Sequence, residues 1–295
     1  KPMLMLEFDE HSADAGYLTR LEAFHDVISK NETNKKKTDN VSAPQKFEKP
    51  KNLWIPPMHP YGTPLIAAAL RFSGLPARPL PTETLQTFQM AKAYTRGTEC
   101  VPAPSTIGAF LNVLKSSDAP EKECFFMPSA KGPCRFGQYH TLHRIILDDA
   151  GYTKTPIEAW DDESGSYGMD MKTSRRMFNT LLAADILYKA RCRIRPYALD
   201  RNQFDETMKS VLDKTVTSTE RGEDMALTLH NAASILSKIK RSTEKKPLIG
   251  IVGEIYVRLN PYTNQNLVET IENEGGEAWV APFSEWIQYL SFLDT

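Results

Sequence analysis

Two cysteines lie where a loop leads into a predicted helix, a position in which thiolates bind metals or act as nucleophiles. Cys134 follows the apolar run 124–127 and a loop that contains Gly and Pro, and a helix is predicted after it. Cys100 follows a similar loop, and the next predicted helix starts at Ser105. Free backbone N–H groups and the positive end of the dipole at a helix start stabilise a thiolate. Both positions therefore indicate metal binding or nucleophilic chemistry at sulfur.

The spacing of the cysteines narrows this chemistry. Neither Cys100 nor Cys134 has a Cys-x-x-Cys partner, which disfavours a structural zinc site. Two alternatives stay open: inert loop thiols, and a thiol enzyme with Cys134 as the nucleophile. Cys124 lies inside an apolar run and is predicted to be a core residue. Cys192 lies among basic residues, a setting typical of a solvated helix end and also compatible with a reactive thiol.

The elements that must position Cys100 and Cys134 alternate between short apolar runs and helical patterns, an order typical of parallel α/β units. The predicted strands of the first unit are 53–55, 76–80, 124–127 and 156–160. The predicted helices are 61–72, 105–114 and one that ends near residue 149. Ligands of open α/β sheets bind at the carboxyl ends of the strands. Both cysteines are therefore expected at that edge.

A helical segment separates this unit from a second, shorter α/β unit. Helices are predicted at 171–190, 203–213 and 225–239, the last from a 3.6-residue apolar stripe. The second unit has predicted strands at 248–252 and 278–281 and a helix near 267–271. The predicted parts are an N-terminal segment 1–29, a flexible basic linker 30–51, a first α/β lobe 52–160, a helical segment 161–246 and an incomplete second α/β lobe 247–295. The chain after 247 is too short for a doubly wound domain, which predicts a truncated protein.

Composition excludes several classes of function. Hydrophobic residues make up 41% and charged residues 25% of the 295 residues, as in ordinary globular proteins. The 36 basic and 37 acidic side chains leave a net charge of -1, and no aromatic residue interleaves with the lysines of the linker 30–51 before Phe47, so no nucleic acid is expected as a partner. The longest apolar runs are too short to cross a membrane. No secretory signal is visible and the cysteines are far apart, which favours a reducing, cytoplasmic location.

Five segments resemble one known family, the large activase-like proteins of the 2-hydroxyacyl-CoA dehydratase system. Four of them are similar to its C-terminal region, and the segment at 11–16, with Thr19 and Arg20, is similar to the part just upstream. The most specific segment is Gly-Pro-Cys-Arg-Phe-Gly-Gln-Tyr at 132–139. The others are Gly-Thr-Glu-Cys-Val-Pro at 97–102, Val-Gly-Glu-Ile-Tyr-Val-Arg at 252–258, Ala-Pro-Phe-Ser-Glu-Trp at 281–286 and His-Ser-Ala-Asp-Ala-Gly at 11–16. The resemblance spans nearly the whole chain.

This resemblance implies a fold and a redox function. The fold implied is α/β, with a Rossmann-like parallel-sheet lobe, a helical connecting segment, the start of a second Rossmann-like lobe, and an iron–sulfur cluster between the lobes. In this family an ATP-hydrolysing activator passes low-potential electrons to a dehydratase-like component that holds another cluster. The partners implied are that activator and a CoA thioester or another small reducible substrate.

The resemblance also implies roles for particular residues. Cys100 and Cys134 become cluster ligands, and the family pattern has a further cysteine beyond Thr295, so the ligand set of this chain is expected to be incomplete. The expected surroundings of the cluster are Gly132, Pro133, Arg135, Gly137, Gln138, Tyr139, Glu254 and Arg258. The glycines let backbone N–H groups approach cluster sulfides. Glu254 and Arg258 follow a strand at the predicted crevice, where a buried ion pair between the lobes is the alternative.

The chain has no Gly-x-x-x-x-Gly-Lys-Ser/Thr loop, so ATP hydrolysis is not expected of it. The main alternative to a redox protein is a protein of a different class, an interaction module. The missing third cysteine favours a non-catalytic interaction or scaffold module with the same fold and no working cluster.

Other residues have two interpretations each. An acidic cluster fits either a metal site or a flexible loop: Asp9, Glu10, His11 and Asp14. Two histidines at i, i+3 spacing either flank a site or lie at the surface or partly packed: His140 and His143. Four arginines either hold the phosphates of coenzyme A or form ion pairs with Asp200, Asp205 and Glu206: Arg191, Arg193, Arg195 and Arg201. Two residues at the last predicted helix start either serve the site or cap that helix: Ser284 and Glu285.

Overall fold

The structure of the protein, a computed structural model, describes residues 18, 21–25, 28, 51–129, 134–159 and 171–293. The chain divides into two separate units, 1–48 and 49–295. In the first unit, residues 21–25 are helical. The second unit carries both sheets.

The first sheet has four parallel strands: β1 (Asn52–Ile55), β2 (Ala77–Pro79), β3 (Glu123–Phe126) and β4 (Ile157–Glu158). Their order in the sheet is β2-β1-β3-β4. Every residue of β3 is buried, as expected for a central strand that is covered on both faces. The predicted α/β class is therefore confirmed. Each strand predicted for the first α/β unit is present, although β4 is shorter than predicted.

Four helices connect these strands: α1 (Gly62–Phe72), α2 (Leu85–Lys92), α3 (Pro102–Lys115) and α4 (Tyr139–Asp149). The sequence patterns do not predict α2, which starts at a capping box between Thr84 and Thr87. Helix α3 starts at Pro102 rather than at the predicted Ser105, because proline fits the first turn of a helix.

The core of this part lies on both faces of the first sheet. On one face, Phe110 of α3 stacks on Phe125 of β3 with their ring centroids 4.5 Å apart, and both side chains are fully buried. On the other face, Cys124 packs with Leu53 of β1 and Leu70 of α1. Cys124 is thus a core residue, as predicted, and burial raises the pKa of its thiol.

Three helices follow the first sheet: α5 (Met171–Ile194), α6 (Arg201–Arg221) and α7 (Met225–Leu236). Helices α5 and α6 pack against α1, and α7 packs against α6. Both α5 and α6 extend beyond the predicted bounds. In α6, the hydroxyls of Thr215 and Thr219 donate to the carbonyls four residues earlier, so these poor helix formers still continue the helix up to Gly222.

The second sheet has two parallel strands, β5 (Leu248–Ile251) and β6 (Glu277–Val280). Its helices are α8 (Ile255–Leu259), α9 (Leu267–Asn273) and α10 (Ser284–Leu293). Within the described residues β5 pairs with β6 alone, and the first three residues of β5 are exposed. The predicted strands and the helix near 267–271 are present in this part of the chain.

Among the described residues, no helix combines the length and the apolar character that a membrane crossing requires. The boundaries predicted for the lobes and for the linker stay predictions, and residues 30–50 of the linker lie outside the described residues.

Candidate functional site

Cys100 and Cys134 lie on neighbouring loops beside the first sheet, and both side chains are exposed. Cys100 precedes α3, and Cys134 follows the carboxyl end of β3. The guanidinium of Arg135 donates from Nη1 to the carbonyl oxygen of Thr98, 3.0 Å away, which joins the two loops directly. The structure therefore brings the two predicted ligands to the same region.

Tyr139, the first residue of α4, lies next to the thiol of Cys100. Burial raises the pKa of its phenol, and Cys100, Glu254 and Cys134 each raise it further. Such interactions act over short distances in a partly buried site. Of these groups, Cys100 is the one that is hydrogen-bonded to Tyr139, a residue that the resemblance places in the surroundings of the cluster.

The loop that carries Cys100 is ordered by its own backbone. The carboxylate of Glu99 accepts hydrogen bonds from the backbone N–H groups of Arg96, at 3.0 Å, and Gly97, at 2.9 Å. These bonds lower the pKa of Glu99. Gly97 has a φ of +82°, a conformation that other residues rarely adopt. The loop thus presents Cys100 from a fixed turn.

The helix starts offer fewer free N–H groups than the sequence suggests. Pro102 and Pro104 have no N–H, and the N–H of Ala103 donates to the carbonyl of Cys100 at 2.9 Å. Cys134 precedes a short 3-10 helix rather than α4, and its carbonyl accepts from the Gly137 N–H at 3.3 Å. Stabilisation of thiolates by free helix N–H groups is therefore weaker than expected here.

A buried histidine joins α3 and α4, the two helices that follow the cysteine loops. Nε2 of His143, on α4, donates to the carbonyl of Ala103, on α3, at 3.1 Å. His143 is fully buried, so its predicted position at the surface or partly packed is wrong, because its ring fills the space beside Phe125 and Tyr139. Burial lowers the pKa of its imidazole to about 3. His140 is half-buried.

We expect this histidine to make the protein sensitive to acid. In the unfolded chain the imidazole of His143 has the ordinary pKa of 6.5, whereas in the folded chain its pKa is about 3. The stability that depends on the neutral ring is therefore fully present above pH 6.5 and is lost as the pH falls below that value. Between pH 7 and pH 5 this group is expected to remove about 2 kcal/mol from the free energy of unfolding. Urea titrations at both pH values measure the loss.

The matched variants for this measurement are His143→Phe and His230→Gln. His143→Phe is expected to lose that share of the pH dependence, because the titrating ring is gone. His230 is exposed on α7, so His230→Gln is expected to keep the wild-type slope. An unchanged slope in His143→Phe contradicts the prediction.

Two other predicted residues lie at the start of α8, beside the second sheet. Glu254 is exposed and caps α8, since its carboxylate accepts from the N–H of Val257 at 2.8 Å. Arg258 donates from Nη1 to the carbonyl of Gly253 and from Nη2 to that of Pro282, each at 3.0 Å. The alternative of a buried ion pair does not describe Glu254, because its side chain is exposed. The charge of Glu254 also raises the pKa of the Tyr139 phenol.

The remaining predicted site residues divide into two groups. Arg135, Gly137 and Gln138 form the 3-10 helix between Cys134 and Tyr139. The others lie outside the described residues: Gly132, Pro133, Asp9, Glu10, His11 and Asp14. Among the residues that the structure describes, no three His, Cys, Asp or Glu side chains group as a metal site.

Cys192 is neither a solvated residue at a helix end nor a reactive thiol, the two interpretations that its sequence allowed. Its side chain is 2% exposed and packs with Tyr188, Ile251 and Leu259 between α5 and the second sheet. Burial raises the pKa of its thiol to about 11. The prediction of a solvated helix end is wrong, because the second sheet covers this face of α5, and the buried neutral thiol is a poor nucleophile.

The arginines near Cys192 form ion pairs. Glu272 of α9 is fully buried and accepts from Arg191 at 2.5 Å and from Arg195 at 2.6 Å. Arg195 also pairs with Asp205 at 2.7 Å, which the sequence suggested. Arg201 donates to the carbonyl of Glu272 at 3.2 Å. Arg193 lies 3.6 Å from Glu277. These contacts favour ion pairs over binding of coenzyme A phosphates.

A buried polar network joins the first sheet to α8, and the sequence analysis missed it. Glu83, which follows β2, accepts hydrogen bonds from the hydroxyl of Tyr256 and from Nδ2 of Asn260, the latter at 2.8 Å. Glu83 is 3% exposed and Asn260 fully buried. The signal available was an acidic residue just after a strand, at the edge where ligands and neighbouring units meet.

A second missed network holds α10. Asp185 of α5 accepts from the N–H groups of Phe283 and Ser284, at 3.1 and 2.8 Å. It therefore has the capping role that was one of the two interpretations of Ser284 and Glu285. His59, 1% exposed, accepts at Nδ1 from the N–H of Gly62 and directs Nε2 toward Asp185 at 3.7 Å. Hydrogen bonding to its ionised form lowers the pKa of Asp185 despite its burial.

No family model matches this chain, and no curated protein matches it either. The resemblance stated from the sequence therefore stays a prediction. The loops of Cys100 and Cys134, joined by Arg135 and with Tyr139 beside Cys100, are the features on which a function can be based.

Proposed function

We propose that this region holds an iron–sulfur cluster through Cys100 and Cys134 and takes part in ATP-coupled, low-potential electron transfer of the 2-hydroxyacyl-CoA dehydratase activase type. The observation that carries the proposal is the meeting of these two exposed cysteines on loops joined by the Arg135–Thr98 hydrogen bond. The two other cysteines are buried in the core and cannot reach this region.

The donor set fits part of a cluster. Thiolates are the ligands that iron–sulfur clusters use, and exposure leaves room for a group beside Cys100 and Cys134. Two thiols do not complete a set of four, and the described residues provide no third donor beside them. The remaining ligands must therefore come from a part of the protein that the structure does not describe or from a partner. A bound cluster supplies one-electron chemistry at low potential.

The surrounding residues have clear tasks in this proposal. The Glu99 turn holds the Cys100 loop, and Arg135 holds the Cys134 loop to it. Tyr139 lies beside Cys100 with a phenol that burial keeps protonated, so it can donate a hydrogen bond to that sulfur. Hydrogen bonds to sulfur are one of the means by which proteins set the potential of a cluster.

The same proposal includes the assignment of the two sheets to Rossmann-like lobes. The four-stranded parallel sheet and the two-stranded one are the first and second Rossmann-like lobes, with α5 to α7 as the connecting segment. The cytoplasm is the proposed location. An ATP-hydrolysing activator and a CoA thioester or other small reducible substrate are the proposed partners, because exposed ligands at a sheet edge are open to both.

Anaerobic reconstitution with iron and sulfide tests the proposal. The wild-type protein is expected to bind iron and sulfide and to absorb in the visible range, and Cys100→Ser and Cys134→Ser are expected to lose most of both, because each removes a ligand. Cys192→Ala is the matched control, since Cys192 is buried elsewhere and should not change the iron content. A colourless wild-type protein, or serine variants with full iron content, contradicts the proposal.

One observation favours the alternative of a scaffold without a cluster, namely the lack of a third donor among the described residues. A scaffold is expected to bind its partner equally well with Cys100→Ser and Cys134→Ser. Pull-down with the activator protein, run in parallel with the iron analysis, separates the two functions.

A further inference from the structure

Strand β5 has one free edge within the described residues. On its other side the carbonyl oxygens of Pro247 and Ile251 accept from N–H groups of β6 and of the residue after it, at 2.8 and 3.1 Å. Successive residues of a strand direct their backbone groups to alternate sides, so the N–H and C=O groups of Leu248 and Gly250 face away from β6. No described strand pairs with them there. These groups form a row of donors and acceptors that fits one more strand.

The side chains along this edge are open to solvent as well. Leu248 is 59% exposed, Val252, directly after β5, is 82% exposed, and a Cβ at Gly250 would meet no atom within 4 Å. The alternation of a strand places positions 248, 250 and 252 on one face. Two paired strands alone are marginally stable, and additional strands stabilise such a sheet. Both the backbone and the apolar side chains of β5 therefore favour a further strand.

The charges on either side of β5 indicate which strand fits this edge. Lys245 and Lys246 precede β5, and Glu254 follows it. Lys245 and Glu254 are exposed. A strand of the same sequence that runs antiparallel brings its acidic end to the basic end of β5, and this happens at both ends of the pair. A parallel copy would place like charges together, which is destabilising. The strand that complements β5 in charge is therefore a second, antiparallel β5.

One register of such a pair satisfies the backbone, the apolar side chains and the charges together. When Gly250 of one copy lies opposite Gly250 of the other, Leu248 lies opposite Val252 and Lys246 lies opposite Glu254. The backbone groups of Leu248 and Gly250 that face the free edge then face those of the second copy. At the centre of the pair the absence of a side chain at Gly250 lets the two strands approach closely.

We propose that β5 is the interface of a symmetric homodimer, in which two copies of this chain pair their β5 strands antiparallel and form one sheet in the order β6-β5-β5-β6. Each copy contributes the same surface, so the contact has two-fold symmetry. One pair of short strands buries little area, which is typical of a weak dimer that forms as the protein concentration rises. The proposal concerns the protein alone and does not require a bound cluster.

Analytical ultracentrifugation over a series of protein concentrations tests the proposal. The wild-type protein is expected to shift from the mass of one chain toward that of two chains as the concentration rises. Leu248→Lys is expected to stay monomeric, because the symmetry introduces its charge twice among the apolar side chains of the interface. Leu227 of α7 is equally exposed, at 60%, so Leu227→Lys is the matched control and should keep the wild-type dimer.

Exchange of the flanking charges tests the antiparallel orientation. Lys246→Glu and Glu254→Lys are each expected to raise the Kd of the dimer about tenfold, because each brings like charges together at both ends of the strand pair. The double variant restores opposite charges and is expected to regain most of the wild-type affinity. Glu254 also caps α8, and a loss caused by the missing cap would persist in the double variant.

Three results overturn the proposal. The first is a wild-type protein that stays monomeric over the whole concentration series, which would leave the free edge of β5 to a strand of another sequence. The second is a dimer that persists in Leu248→Lys, which would place the interface elsewhere. The third is a double variant that dimerises no more tightly than Lys246→Glu or Glu254→Lys alone. Circular dichroism of each variant shows whether the fold is kept.

Discussion

Replacing Glu272 by Ala is expected to lower the free energy of unfolding by about 3–5 kcal/mol, because it leaves buried positive charge without a partner. Glu272 is fully buried, and the side chains of Arg191 and Arg195 that bind it are 14% and 11% exposed. Without the carboxylate, the guanidinium of Arg191 stays away from water with its charged partner gone, whereas Arg195 keeps its ion pair with Asp205. Urea unfolding followed by tryptophan fluorescence measures the loss.

The same helix provides the matched control for this variant. Glu269 of α9 lies 3.9 Å from Arg195, but its side chain is 53% exposed. Exposed pairs contribute about 0–1 kcal/mol, so Glu269→Ala should change stability little. Equal losses in the two variants would show that burial of Glu272 does not determine the effect.

A loss of similar size, about 3–5 kcal/mol, is expected for Phe110→Ala. Phe110 is fully buried and stacks on Phe125, so its removal leaves a cavity between α3 and β3. These two elements lead into the cysteine loops, since α3 begins after Cys100 and β3 ends before the loop of Cys134. Iron content after reconstitution is therefore expected to fall together with the stability.

Phe110→Leu separates packing volume from the aromatic ring. It keeps most of the buried surface, so its cost should stay well below that of Phe110→Ala. Thermal unfolding of the three proteins, side by side, provides the comparison. A cost for Phe110→Ala below that of Phe110→Leu contradicts the packing role of this side chain.

Elements with strong periodic patterns were predictable, and those defined by distant contacts were not. The apolar run at 53–55 became β1, and the stripe that begins at Met225 became α7. Helix α2 escaped prediction because it depends on close packing: a Cβ on Gly108 of α3 would lie 2.2 Å from the carbonyl oxygen of Thr87. Nothing in the local sequence shows that these two residues touch.

The candidate site was predictable to the same limited degree. Loop position indicated Cys100 and Cys134, and the structure brings their loops together through Arg135. Glu83 and Asn260, in contrast, lie 177 residues apart, and so no local pattern pairs them. The fate of Cys192 also depended on a distant element, since the second sheet buries a thiol that its basic neighbours marked as solvated.

The uncovered strand β5 has a practical consequence for anyone who purifies this protein. Leu248 and Ile249 are 59% and 39% exposed, and a Cβ at Gly250 would meet only open space. An apolar strand whose second edge is unpaired within the described residues can pair with strands from other molecules and so promotes aggregation. Concentrated samples should therefore precipitate through this strand first, and a lysine in place of Leu248 is the simplest means of keeping the protein in solution.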